Sequence, residues 1–424
     1  MEAKSSPHSM VVLSGCRIID GLGSHVIENG VILIQDGIIE DLGEKDSVPI
    51  PKDSIAYDLK GKTVVPGLID THTHIQLFKG DSELDMIKDS VPFKTLKACH
   101  NAQLTLNAGF TGIRDLGSEN LVDLAVRDAC EQGLQEGPLM KVSAYKIMST
   151  GADFPIYPPE VSLLGRQTMD GPDEVRKAVR TLLALGVDVI KIMTSGRTFR
   201  KSSSPNAYSL TLEEAQIVVD EAHNQGIPVS SHTHGAAGVK IALAAGCDTI
   251  EHGTVLDDAD IELMIKNNTY LIPTFSYGKK LEQLGSDSGL PSYSISKALE
   301  SRQLRLISFS KALSAGVNIA MGSDAGMPFV PHGNNAFELE LMVEAGMTPM
   351  QAIMSATSEA AKVLRIDGDT GTIEKGKQAD LLVVTNNPLI DIRQLQNRGQ
   401  NIQAVIQRGR FVVNHGIAGI VATV

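Results

Sequence analysis

"LIDTHTHIQ" (residues 68–76) ends the apolar run "KTVVPGLID" (62–70) with two histidines two positions apart. A short apolar run broken by Pro-Gly and followed by polar residues reads as a buried strand. On a strand, residues i and i+2 share a face, so His72 and His74 point the same way. Two imidazoles on one face can grip one metal ion. They can equally be two polar residues at a strand end. The choice depends on what other strands bring to the same place.

Seven further runs share that texture: "FTGIRDLG" (110–117), "PLMKVSAYKI" (138–147), "VDVIKIMTSG" (187–196), "IPVSSHTHG" (227–235), "CDTIEHG" (247–253), "TYLIPTFSY" (269–277) and "VNIAMGSDAG" (317–326). Between them lie helical patterns such as "EEAQIVVDEAHNQG" (213–226) and "GVKIALAAG" (238–246), each closing on a glycine. Strands alternating with helices in this number predict a distorted (β/α)8 TIM barrel over residues 63–365. The two ends read differently. "MVVLSGCRII" (10–19), "GVILIQDGIIEDLG" (30–43), "ADLLVVTNN" (379–387) and "IQAVIQRGRFVVNHG" (402–416) are short strands, with hairpin signals at Asp36-Gly37 and Arg408-Gly409. Residues 1–62 and 366–424 are therefore expected to meet as one small β-sandwich, giving an α/β chain of three segments. The polar stretch "RTFRKSSSPNAYS" (197–209) reads as a long loop after the fourth barrel strand.

In such a barrel the chemistry sits where the strands end. Strand one ends at His72 and His74. Strand four carries Lys191 inside an apolar run. Strand five ends at His232 and His234, strand six at His252, and strand eight at Asp324. The paired histidines are thus one corner of a ring of N and O donors. Neutral imidazoles and carboxylates suit Zn2+ and related divalent ions. Two such ions about 3.5–4 Å apart need a bridging anion. As an ammonium, Lys191 cannot ligate. As a carbamate formed with CO2 it gains a carboxylate-like tip, and the apolar neighbours Val189, Ile190 and Ile192 favour the neutral amine that this requires. Taken singly, each residue has a plain structural reading: a snorkelling lysine, or a histidine bonded to backbone. Glu251, beside His252, alternates to the other face and is expected to pack or to support the ligands.

The bulk numbers agree with a soluble enzyme. Apolar residues make up 42%, net charge is -12 and the pI is about 5.4, which excludes nucleic acid and anionic membrane as main partners. No apolar run approaches the ~18 residues of a membrane span, and the polar N-terminus lacks a secretory apolar core. Cys16, Cys99, Cys130 and Cys247 have no metal or redox spacing, so a reducing, cytoplasmic location is expected.

The motifs "PGLIDTHTHIQ", "GVDVIKIMTSG", "VSSHTHGAAGVKIALAAGCDTIEHG", "MGSDAG" and "GTIEKGKQADLLVV" resemble the amidohydrolase superfamily, in its binuclear subgroup with a carboxylated lysine. The resemblance implies that His72 and His74 bind the more buried metal with Lys191 and Asp324. It assigns His232 and His252 to the second metal, with carbamylated Lys191 and hydroxide bridging, and makes Asp324 the general base. "EEAQIVVDEAHNQGIPVSSHTHG" and "ELELMVEAGMTPMQAIMSATSEAAKVL" are similar to the branch holding Xaa-Pro dipeptidases, amino-acid carboxypeptidases, ochratoxinase-like amidases, and phenylurea and molinate hydrolases. Where peptidase members carry Thr-Gly-Gly-His, this chain has Ala152 and Asp153 in the last two places.

The expected activity is hydrolysis of an amide C–N bond in an N-acyl amino acid or dipeptide-like small molecule, including ochratoxin-type aryl amides. A metal-bridging hydroxide would attack the carbonyl. His234 is a candidate catalytic residue that would hydrogen-bond the oxyanion or the substrate, and His234, Tyr208 and His332 are candidate substrate contacts. The alternative is hydrolysis of urea or thiocarbamate bonds in xenobiotics by the same centre. A metal-free scaffold role would call for lost ligands, whereas all six positions are filled. A homo-oligomer with an even number of copies is expected from the fold.

Overall fold

The structure, a computed structural model, describes residues 10–23, 25–78, 88–152, 168–196, 204, 206–396 and 400–421. Much of the 197–209 loop, and Asp153, lie outside them.

From the N-terminus come β1 (Val11–Ile19), β2 (Val26–Gln35), β3 (Ile38–Glu44), β4 (Ile55–Asp58) and β5 (Thr63–Pro66). The barrel strands follow: β6 (Leu68–Thr73), β7 (Phe110–Asp115), β8 (Leu139–Val142), β9 (Ile190–Met193), β10 (Val229–Thr233), β11 (Thr249–His252) and β12 (Tyr270–Ile272). The chain ends with β13 (Leu381–Val384), β14 (Ile402–Gln407), β15 (Arg410–Asn414) and β16 (Gly419–Val421).

Both ends build one nine-stranded sheet with the path β15-β14-β13-β5-β1-β2-β3, while β4 pairs with β1 and β16. Its two hairpins fall where the sequence placed them. Asp36 and Gly37 have φ of 49° and 85°, and Arg408 and Gly409 have 49° and 73°. Positive φ at both central residues matches the twist of the flanking strands. Alternation explains how the sheet serves two cores. On β13, Leu381 and Val383 face the sandwich interior with Leu13, Ile18 and Ile32, while Leu382 and Val384 face the barrel helices. On β5, Val64 and Val65 divide the same way. β5 therefore belongs to the terminal sheet, and the boundary expected at 62/63 falls one strand too early. Pro66-Gly67 is the turn between the two units.

The barrel is parallel. β6, β7 and β8 pair in one ladder and β9 to β12 in another. Single bridges join the two arcs: Ile147 to Ile192 on one side, Leu271 to Ile319 and Thr73 to Ala325 on the other. The eighth run, 317–326, is thus an irregular segment. Its bonds are divided: Met321 N donates to Ser355 O, while Asp324 N donates to His72 O. The flanking helices start and stop as their residues dictate. Leu212–Asn224 opens with a Thr211/Glu214 capping box, and Ala236–Ala245 ends at Gly246 with φ 90°. Among the described residues no helix is long and apolar enough to cross a membrane.

Candidate active site

The ends of β6, β9, β10 and β11 and the 317–326 segment converge on one rim. His72 Nε2 lies 3.5 Å and His74 Nε2 lies 3.3 Å from Asp324 Oδ1. Across the rim, His252 Nε2 is 2.9 Å from His232 Nδ1. The His234 ring stacks on His252 with centroids 4.6 Å apart. Two trios each bring one donor atom per residue within 4.8 Å of one another: His232, His234 and His252, and His72, His252 and Asp324. The structure thus gathers His72, His74, His232, His234, His252 and Asp324 in one cluster. Lys191 is buried in the barrel beneath them, its Nζ 3.4 Å from Ser230 Oγ.

Close approach at this rim is allowed by Gly322. A Cβ there would stand 2.7 Å from His72 Cβ, so only glycine lets the last segment lie against β6. Asp324 and His252 both adopt left-handed backbone, φ 60° and 71°. Such strain in non-glycine residues persists only where surroundings enforce it.

The partners of the histidines define their protons. His72 Nδ1 sits 2.6 Å from Glu251 Oε2, and His74 Nδ1 sits 3.3 Å from the Gly117 carbonyl. An ionised carboxylate and a carbonyl only accept, so each Nδ1 carries the proton and each Nε2 presents a lone pair. Both lone pairs then face the anionic Asp324 Oδ1, a buried atom with no hydrogen-bond partner. Three electron-rich atoms this close repel unless a cation or proton lies among them. Burial pushes His74 down to about 4, which disfavours the proton at neutral pH. Burial also holds His252 well below the usual imidazole range, helped by His232. Neutral imidazoles and a carboxylate are the donor set of a divalent cation, and these residues fit one.

Below the rim, Glu251 is the hub. It is fully buried and accepts from His72, Arg114 Nη2 at 2.8 Å, Ser230 Oγ at 2.8 Å and Thr249 Oγ1 at 2.5 Å. Burial alone would raise its carboxyl, but Arg114, Lys191 and His72 outweigh burial and hold it below the usual range. Arg114 thereby occupies the carboxylate that Lys191 would otherwise use. Burial pushes the Lys191 amine down to about 7. Asp324 is likewise held well below the ordinary carboxylate range, because positive charge among His72, His74 and Lys191, whether proton or cation, outweighs its burial. Asp70 plays a similar supporting part. Its Oδ1 accepts from the His72 and Ser323 backbone N–H groups, and its Oδ2 from Ser323 Oγ and Asn335 Nδ2 at 2.7 Å. One carboxylate therefore ties the first strand end to the last.

Glu251 yields a stability prediction. Glu251→Ala leaves the Arg114 guanidinium buried without its carboxylate, and breaking such a pair costs about 3–5 kcal/mol. Chemical denaturation of chelator-treated protein measures this without any contribution from bound metal. A loss below about 1 kcal/mol, the scale of a surface pair, would show that Arg114 finds another partner.

The sequence profile of the amidohydrolase family matches residues 63–412. The chain belongs to the amidohydrolase family. It is 31% identical to the ochratoxinase of Aspergillus niger over 421 residues, covering 93% of this chain and 85% of that protein. The crystal structure of that ochratoxinase superposes with a TM-score of 0.84 at 28% identity, covering 97% of each chain. A crystal structure of a Xaa-Pro dipeptidase with methionine in its active site is 35% identical with a TM-score of 0.84, covering 95% of this chain and 99% of that one. This amidohydrolase therefore falls in the ochratoxinase-like branch and is a hydrolase of C–N amide bonds.

Two expected substrate contacts of the amidohydrolase stand differently. Tyr208 is 60% exposed, with its backbone bridged to Ser195 beside the strand-four loop. His332 is buried, with Nε2 3.1 Å from the His74 carbonyl and Nδ1 3.1 Å from Thr105 Oγ1. Both ring nitrogens are engaged by protein, so it braces the His74 backbone. Two residues near the reacting end were not singled out from sequence. Arg114 interrupts the apolar run "FTGIRDLG" just as Lys191 interrupts its own, and that signal was there to be read. Tyr277 follows β12 and is half-buried, close enough to feel the Asp324 charge; nothing in its local sequence marks it.

Proposed function

We propose that the chain hydrolyses the amide bond of an N-acyl amino acid or dipeptide-like substrate, ochratoxin-type aryl amides included. The observation that carries this reading is the convergence of the His72 and His74 lone pairs on the unbonded Asp324 Oδ1. Ochratoxin and Xaa-Pro dipeptides, the substrates in the names of two relatives, support the substrate class.

His72, His74 and Asp324 would hold one divalent cation and His232 and His252 a second, with zinc the ion this donor set suits. Bound there, the ions supply Lewis acidity and a water of lowered pKa. Lys191 would bridge them as a carbamate: its amine nitrogen bonds to the carbon of CO2 and gives up a proton. Among the described residues its Nζ meets the Ser230 hydroxyl rather than a carboxylate, which leaves the amine nitrogen available. Asp324 takes the proton of the attacking water and passes it to the leaving nitrogen. His234, whose Nδ1 is engaged by Thr254 Oγ1 at 2.8 Å, directs its other nitrogen to the carbonyl oxygen as negative charge develops there. Tyr208 would supply a loop contact to the substrate carboxylate.

A product-detected screen of N-acyl amino acids, dipeptides and their carboxamide-capped forms tests the substrate class. Turnover of free-carboxylate amides, with at least about tenfold loss on capping, one charge-assisted hydrogen bond's worth, is the expected result. Equal turnover of capped forms, or turnover of ureas and thiocarbamates alone, would move the assignment to the xenobiotic alternative.

A further inference from the structure

The helix Ser292–Ala315 lies outside the barrel, yet one of its side chains reaches the back of the histidine cluster. Arg305 is only 9% exposed. Its Nη1 donates to the Thr274 carbonyl at 2.6 Å and to Thr274 Oγ1 at 3.2 Å, and its Nε lies 3.4 Å from Thr254 Oγ1. Those two hydroxyls are the ones that meet the histidines. Thr274 Oγ1 is 2.7 Å from His252 Nδ1, and Thr254 Oγ1 is 2.8 Å from His234 Nδ1. One turn further along the same helix face, Ser308 Oγ donates to the Thr254 carbonyl at 3.0 Å. We infer that Arg305 is the positioning residue of the cluster's second half: it clamps Thr274 and Thr254, and through them sets the orientation of the His252 and His234 rings.

Three physical points support this. Thr274 has φ 51°. A β-branched residue in left-handed backbone is a genuine outlier, costing about 1–3 kcal/mol, and persists only when held. Arg305 holds the carbonyl and the hydroxyl of that threonine at once. Next, a guanidinium only donates, so each hydroxyl spends a lone pair on it and keeps one for a histidine Nδ1–H. His252 can offer Nε2 to a cation only with its proton on Nδ1, and Thr274 Oγ1 is the acceptor waiting for that proton. Finally, the forked guanidinium spans two threonines on different loops, which the single ammonium of lysine cannot do. His72 and His74 do not depend on this device, since Glu251 and the Gly117 carbonyl fix them. Arg305 should therefore act on one half of the cluster alone.

The inference rests on the two-ion reading above, so the test is metal affinity. Chelator-treated wild type and Arg305→Lys are titrated with Zn2+ against a chromophoric competitor, with thermal unfolding recorded alongside. The expected result is two equivalents in wild type. In Arg305→Lys one equivalent should be weakened roughly 10–100-fold, the usual cost of losing a ligand's support, and the other left unchanged. Thr274→Val removes only the hydroxyl and should weaken the same equivalent. The double variant should add little, because both act through one contact. If Arg305→Lys fails to fold, the selective loss in Thr274→Val decides the matter. Equal weakening of both equivalents, or additive losses, would overturn the inference and leave Arg305 a structural residue. Two equivalents at unchanged affinity in Arg305→Lys would overturn it alone. Wild type that binds no zinc would overturn it together with the metal reading.

Discussion

Asp324→Asn, with its metal content unchanged, falls at least about 10³-fold in kcat/KM, an expectation built on the ~10²–10⁴ that removing a general base costs. Two roles meet in this side chain. Oδ1 faces His72 and His74 Nε2 at 3.5 and 3.3 Å, where it would share their cation. The same carboxylate, held ionised by positive charge among its neighbours, would accept the water's proton and return it to the leaving nitrogen. Asparagine keeps the shape and one oxygen but cannot hold that proton. The loss therefore falls on attack and on leaving-group departure together, which places it in the upper part of the range. Steady-state kinetics with metal analysis of the same sample separates the roles. A variant that keeps its ions and loses less than about tenfold, below the range for a general base, would assign proton transfer elsewhere, with His234 first in line.

Lys191→Ala should lose most of its activity and part of its metal. The lysine is 1% exposed in a fully buried strand between Ile190 and Ile192. The truncation leaves a space that ends beneath the histidines. Loss of a bridging anion from a two-ion site weakens both ions, since each then faces the other's charge unscreened at about 3.5–4 Å. Short carboxylates such as acetate or propionate should restore part of the activity by filling that space with an anion. Saturable rescue by carboxylates, and none by alkylamines of the same size, is the signature of a carbamate. Wild-type rate and metal content in Lys191→Ala would remove the bridge from the account.

The rim was legible in the sequence because it is written in local patterns. HxH at the end of an apolar run, a lysine inside one, and Gly-Ser-Asp at the end of another each declare a strand end that carries a polar residue. A barrel then brings such ends together whatever the helices between them do. The terminal hairpins were legible for a similar reason, since Asp-Gly and Arg-Gly turns need only their own backbone. What could not be read depends on partners distant in sequence. β5 and β6 form one apolar run, and only the pairing of β5 with β1 and β13 shows that Pro66-Gly67 divides two sheets. The eighth strand lost its ladder because Met321 pairs with Ser355, and its end turns through the left-handed Asp324. The hold of Thr105, on a distant helix, on the His332 ring could not be read either. Arg305 sits among serines, leucines and lysines with no local sign that it faces the core.

We propose the cluster around Asp324 as a two-ion hydrolytic centre. The most direct measurement is elemental analysis of purified, active protein before and after chelation, with activity followed as Zn2+ is returned. The expected result is about two divalent ions per chain, the stoichiometry of a binuclear site, loss of activity on chelation, and recovery that tracks the bound metal. Full amide hydrolysis by protein carrying almost no metal would contradict it.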